Sequence, residues 1–340
     1  MGIQTHSAKP GSSDPNPKHW SKNIKRVALI EFLMVLLAAN VCAWAFYLTT
    51  HKPLLAALPL MEAATKSLHP HYLFSINGIQ EPVGVAATSN GERIYVVDSG
   101  GERMVHVFDR DGNALFNFAP PNSQPFGRAP VYIALDGAGQ VYVSDRLRHA
   151  VDIYDEYGKF KSTLKPPTTD GWAPLGVRSS GSNLLFTDVT NGKHRVLQMS
   201  GDGHITLQFG RQGNGVGTDE LWFPNSMVVD AQGRAYVSDS NNARIQVIDQ
   251  SGNWLSTLHG FSLPRGMAID EDQRLYIVDG IGQLVRVFDV SGDRPEALFD
   301  FGDYGARDGE FNYPNDITVD KTGRLYIADR ASNRLQVWAY

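Results

Sequence analysis

Residues 314–340 end the chain as PNDITVDKTGRLYIADRASNRLQVWAY, and this stretch decides the fold. It reads as three short strands divided by turns: Ile317–Val319, apolar and β-branched, then Leu325–Ala328, then Leu335–Tyr340. Between them lie Asp320-Lys321-Thr322-Gly323 and residues 329–333, rich in turn formers. A strand at the chain end with an open edge invites aggregation, so some other strand must cover Val337 and Trp338.

The same pattern recurs upstream, starting at Pro82, Pro130, Pro174, Pro224 and Pro264. With the copy at Pro314, the starts are 48, 44, 50, 40 and 50 residues apart. A period of about 40–50 residues with four short strands per unit is the spacing of propeller blades. Fourth strands are expected at Leu115–Phe118, Phe160–Leu164, Ile205–Phe209 and Trp254–Leu258. The last copy lacks one, while His71–Asn77 (HYLFSIN) precedes the first copy with no partners of its own. It is expected to pair with Leu335–Tyr340 and close the ring. The expected fold is therefore all-β: a six-bladed β-propeller over residues 71–340, closed by an N-terminal strand and preceded by one transmembrane helix.

The repeats resemble the NHL repeat family. The residues that carry the likeness are Pro224, Val229-Asp230, Gly233-Arg234, Tyr236-Val237-Ser238-Asp239-Ser240-Asn241 and Arg244-Ile245-Gln246-Val247. They return as Pro314, Val319-Asp320, Gly323-Arg324-Leu325-Tyr326-Ile327-Ala328-Asp329 and Asn333-Arg334-Leu335-Gln336-Val337. The resemblance implies the fold over residues 71–340 and leaves the activity open, since propellers carry many unrelated functions.

The first 70 residues have another character. Residues 1–26 are polar, are expected to be disordered and cytoplasmic, and carry five Lys/Arg against one Asp. Residues 27–49 contain VALIEFLMVLLAANVCAWAFYL, long enough for one membrane-crossing helix. Lys18, Lys22, Lys25 and Arg26 before it, against Lys52 after it, place the N-terminus in the cytoplasm and the propeller outside, at a cell membrane. A cleaved signal peptide ending near Ala43–Ala45 is the rival expectation. Residues 50–70 form the linker. The one cysteine, Cys42, lies in the apolar run, so the exported domain has no disulfide. The whole chain carries −5 and the first 26 residues +4, leaving −9 for the rest. That balance argues against a nucleic-acid partner.

Two candidate sites follow from blade geometry. Loops after each second strand, and loops joining one blade to the next, share one face, and their sequences vary. Phe126, Arg128, Arg146, Arg148, Trp172, Arg211, Trp222, Arg265, Tyr304 and Arg307 are the expected binding face, suited to a protein or glycan partner. No cofactor is expected on this reading. The alternative lies at the axis, where Glu81, Asn225, Asn315 and Asp316 could offer oxygens to Ca²⁺ or another divalent cation. There the chain is faintly similar to gluconolactonase-type hydrolases, through Glu81-Pro82 and Pro314-Asn315-Asp316. It departs from them in having no residue between Glu81 and Pro82, and in having Arg265-Gly266 where an Asp ligand would stand. That likeness implies a divalent-metal-dependent hydrolase or lyase. The recurring Asp98, Asp145, Asp188, Asp239, Asp279 and Asp329 are expected to cap turns, not to share an ion, with Arg195, Arg244 and Arg334 as their partners.

Overall fold

A computed structural model of the chain describes residues 30–42, 44–45, 68–165 and 169–340. Residues 30–42 and 44–45 are helical. Among the described residues no helix is long and apolar enough to cross a membrane. The other residues of the expected 27–49 span, the N-terminal tail and residues 50–67 of the linker lie outside the described residues. By contacts the chain divides into two units, 1–62 and 63–340.

The second unit holds six four-stranded antiparallel sheets. Five take their strands in sequence order; blade 1, for example, is Pro82–Ala87, Ile94–Asp98, Val105–Phe108 and Ala114–Phe118. The sixth takes Pro314–Val319, Leu325–Asp329 and Arg334–Ala339 from the chain end and His71–Asn77 from its start. Tyr72 pairs with Trp338, Phe74 with Val337 and Asn77 with Arg334, with a bulge between Tyr72 and Phe74. This pairing covers the edge that the sequence left open and joins first to last blade by a full ladder of backbone hydrogen bonds.

Six hydrophobic clusters fill the spaces between neighbouring blades, and the second strands are buried on both faces. That is why these strands read as nearly continuous apolar runs instead of alternating. The innermost strands approach one another so closely that three blades carry glycine two residues after the proline. A Cβ on Gly84, Gly176 or Gly266 would lie 2.4, 2.2 or 2.0 Å from Val131 O, Asn225 O or Asp316 Oδ1.

The six recurrent aspartates are buried. Besides capping their own turns, most reach the incoming blade-to-blade loop. Asp145 Oδ1 accepts from the Ala129, Leu147 and Arg148 amides at 3.1, 3.0 and 2.9 Å. Asp239 accepts from Trp222 N at 2.6 Å and Asp329 from Asn312 N at 2.7 Å. Their outer oxygens meet Arg244 and Arg334, each at 2.8 Å, and Asp188 meets Arg195 at 3.0 Å. The aspartates thus tie variable loops to rigid strands, which gives the loop face a fixed base.

Candidate functional site

Because each blade is antiparallel, the loops after second strands and the loops between blades emerge at one end of the propeller, and they converge around an axial mouth. The cavity there has a volume of about 650 Å³. The residue after each blade proline forms its wall, and this ring has two halves. Val83, Val131 and Leu175 from blades 1–3 are apolar; Asn225, Arg265 and Asn315 from blades 4–6 are polar. Arg103, Arg146 and Arg330 enter from the loops. Glu81 is the one acidic residue of the lining, and its carboxylate accepts from Arg330 at 2.7 Å.

Arg265 is held by neutral groups. It donates to Asn225 Oδ1 at 2.9 Å and to Tyr313 O–H at 2.5 Å, with its guanidinium 5.5 Å from the centre of the Tyr313 ring. Its Nε is buried with no hydrogen-bond partner among the described residues. Arg146 is exposed and has no side-chain partner among the described residues.

Deeper on the axis, Tyr132, Arg178 and Asp316 meet. Arg178 of blade 3 reaches across to the carboxylate of Asp316 in blade 6 and lies over the Tyr132 ring at 5.6 Å. Asp316 also accepts from Val85 N at 3.0 Å. Burial raises the Asp316 carboxyl above its ordinary value, and the Arg178 guanidinium works against that rise. Burial likewise pushes the Tyr132 hydroxyl far up, so it stays a proton donor, to Asn225 Oδ1 at 3.2 Å. Beyond this layer a second cavity of about 600 Å³ opens at the other end, where Asp136, Asp270, Glu271 and Asp320 outnumber Arg178 and Lys321.

The four expected metal donors do not make one cage. Glu81 sits at the rim against Arg330, Asp316 lies below against Arg178, and the side-chain oxygen of Asn225 faces Arg265. Asn315 donates its amide to Val83 O. Arginines stand where a cation would have to bind, and like charges repel. Among the described residues no group of three or more His, Cys, Asp or Glu is placed to hold a metal ion.

The expected binding face divides. Phe126 and Tyr304 are 81% and 67% exposed, and Trp222 also faces solvent. Arg211 pairs with Asp219 and Glu220 at 2.9 and 2.8 Å, Arg307 with Glu310, and Arg148 with Asp152. Two members correct the expectation. Trp172 is only 8% exposed, its ring packed edge-on against Phe186 at 5.3 Å, so it is core. Arg128, 4% exposed, spends its guanidinium on the carbonyls of Arg103, Ser123 and Glu102, at 2.7, 2.9 and 2.7 Å. It organises the first blade-to-blade loop and is not available to a partner. Val216, Leu147 and Ile281 are exposed apolar residues on the same loops, and the sequence carries no mark of them, since a lone aliphatic residue in a loop reads the same whether buried or exposed.

The family model for the NHL repeat matches residues 221–248 and 311–338, the fourth and sixth blades. The chain is an NHL-repeat β-propeller. Mouse NHL repeat-containing protein 3 is 30% identical over 186 residues, half of this chain and 53% of that protein. The human protein of the same name is 34% identical over 107 residues, covering 31% of this chain and 30% of its own length. This NHL propeller therefore spans about half, or less, of the curated relatives it matches. Among solved structures, a streptogramin B lyase superposes with a TM-score of 0.58 at 14% identity, over 79% of this chain and 97% of that one, a likeness of fold.

Proposed function

We propose that this NHL propeller is a protein-binding or scaffold module that docks its partner on the loop face. Residues 27–49 anchor it to a membrane with the propeller outside the cytoplasm. One observation carries the docking face. Among the described residues between strands, the exposed large apolar side chains Phe126, Leu147, Val216, Trp222, Ile281 and Tyr304 lie on the loop face, whereas Tyr157 lies on the turns of the opposite face, where Leu68 and Tyr340 flank the strands of the closing blade. Turns and loops are otherwise polar, and exposed apolar side chains gathered at one end of a rigid scaffold mark an interaction surface. Aliphatic Leu147, Val216 and Ile281 suit a protein better than a glycan, which would need hydrogen-bonding partners. Divalent-metal hydrolysis at the axis has less support, since arginines oppose the donor oxygens there.

The test places a photo-crosslinking amino acid at Phe126, Tyr304 or Tyr157 of the full chain, in cells that express it. The same adduct is expected from Phe126 and Tyr304 and not from Tyr157. Equal labelling from all three positions would remove the assignment of the face.

A further inference from the structure

We propose that the axial mouth on the loop face is a binding site for a carboxylate borne on an apolar group: a small organic acid, or the C-terminal residue of a polypeptide. The site shares its face with the docking surface proposed above but needs no partner on the rim.

Three features of the mouth carry the inference. The first is charge. Arg103, Arg146, Arg265 and Arg330 line the cavity against Glu81 alone, and Glu81 is spent on Arg330. Among the described residues, the Arg103 guanidinium donates to the carbonyls of Pro125 and Arg128, at 3.5 and 3.3 Å, and to no carboxylate. A cationic mouth on a chain of net charge −5 runs against the overall balance. Such a local excess of one sign draws ligands of the other into a cleft.

The second is Arg265 itself. Two arginines stand on the innermost strands, and they are treated differently. Arg178 has the buried carboxylate of Asp316, whereas Arg265 has only an amide oxygen and a phenol, and its Nε has nothing. A half-buried guanidinium without a counter-ion is costly, and one that still has an unmade N–H bond gains when an anion arrives. The planar fork of an arginine fits a carboxylate with two parallel hydrogen bonds.

The third is the opposite wall. Val83, Val131 and Leu175 offer nothing to a hydrated polyanion but would cover an aromatic or branched aliphatic body. The volume of about 650 Å³ lies within the range of small-ligand sites. Cation on one side and apolar surface on the other select a monoanion with an apolar body.

Isothermal titration of the full chain in a mild detergent tests this. The probes are N-acetyl-phenylalanine, its amide, a hexapeptide ending in phenylalanine with a free carboxylate, and inorganic phosphate. The free acid should bind and the amide should bind at least about tenfold more weakly, since a charge-assisted hydrogen bond is lost. Arg265→Met and Arg146→Ala should each weaken the acid by about tenfold. Arg146 is exposed and unpartnered, so its variant should melt like the parent and keep the test valid if Arg265→Met folds poorly. A peptide that binds more tightly than the small acid would identify a chain terminus as the source; one that binds no better would identify a free acid. Either result upholds the site. Equal binding of acid and amide, phosphate as tight as the acid, no effect of Arg146→Ala, or no binding at millimolar probe would overturn it. Loss of the rim crosslinks with the titration intact would remove the docking surface alone, and the reverse would remove this site alone.

Discussion

Arg178 and Asp316 show how one pair of side chains sets the middle of the propeller. Asp316 is fully buried and Arg178 mostly so, and each is the other's counter-ion across the axis. Removing one partner of such a pair leaves a bare charge in a poor solvent for it, which costs about 3–5 kcal/mol. Arg178→Met should therefore lower stability by about that amount. Arg178→Met combined with Asp316→Asn should recover much of it, as chemical or thermal unfolding would show. The pH dependence has a definite sign. Without the guanidinium, burial alone holds the Asp316 carboxyl above its ordinary 3.8, so the folded chain keeps its proton longer than the unfolded one. The deficit of Arg178→Met should be small below pH 3.8 and grow as pH rises through the raised value. A deficit that shrinks with rising pH would refute the pairing. Asp316, Asn225 and Arg265 were legible as polar residues on inner strands. Arg178 was not read, although an arginine in PLGVRSS, where other copies have Ala, Val or Thr, was a signal that a carboxylate must face it. Trp172 was misread for a local reason. The third repeat has Gly171 three residues before its proline, where the fourth and sixth have buried Leu221 and Phe311, and the large buried residue of that lead-in is Trp172 instead.

At the level of elements, the closing strand is the clearest case of sequence and structure agreeing. His71–Asn77 was recognised because it had the look of a fourth strand and no neighbours in sequence, and it is paired as expected. Ile76 is its buried anchor, packed among residues of the first and last blades. Ile76→Ala should cost about 2–5 kcal/mol, the usual range for emptying a buried aliphatic site. It should also raise concentration-dependent association by loosening the cover on Arg334–Ala339. Sedimentation and melting curves check both effects, and an unchanged melting temperature would mean that the strand is not a closing element. One fourth strand escaped notice, Glu296–Phe301. Its ALFDF at Ala297–Phe301 nearly repeats the ALFNF of Ala114–Phe118 and could have been found by that comparison. The short parallel pairing of Arg211–Gln212 with Glu220–Leu221, inside one blade-to-blade loop, had no sequence signal, because two-residue pairings carry no periodicity.

On the scale of the whole molecule, the propeller has unlike ends: a mouth lined by arginines under the loops and one richer in carboxylates under the tight turns. The proposed orientation has its own test. An epitope added after Tyr340 should be labelled in intact cells, while one before residue 1 should need permeabilised cells; the opposite pattern would reverse the orientation. The sequence by itself determined the repeat, the number of blades, the closing strand and the face from which variable loops emerge. Each of these is written locally, in strand-length apolar runs, turn residues and a fixed period, so neighbours along the chain suffice to read it. Only the tertiary structure decided which loop residues are free and which are spent: Arg128 and Trp172 are committed inward, Arg146 is not. Only it brought Arg178 across to Asp316 and left Arg265 without a counter-ion. Those outcomes depend on which side chains of blades far apart in sequence meet at the axis, and electrostatic and packing energies are set by that meeting, not by spacing along the chain.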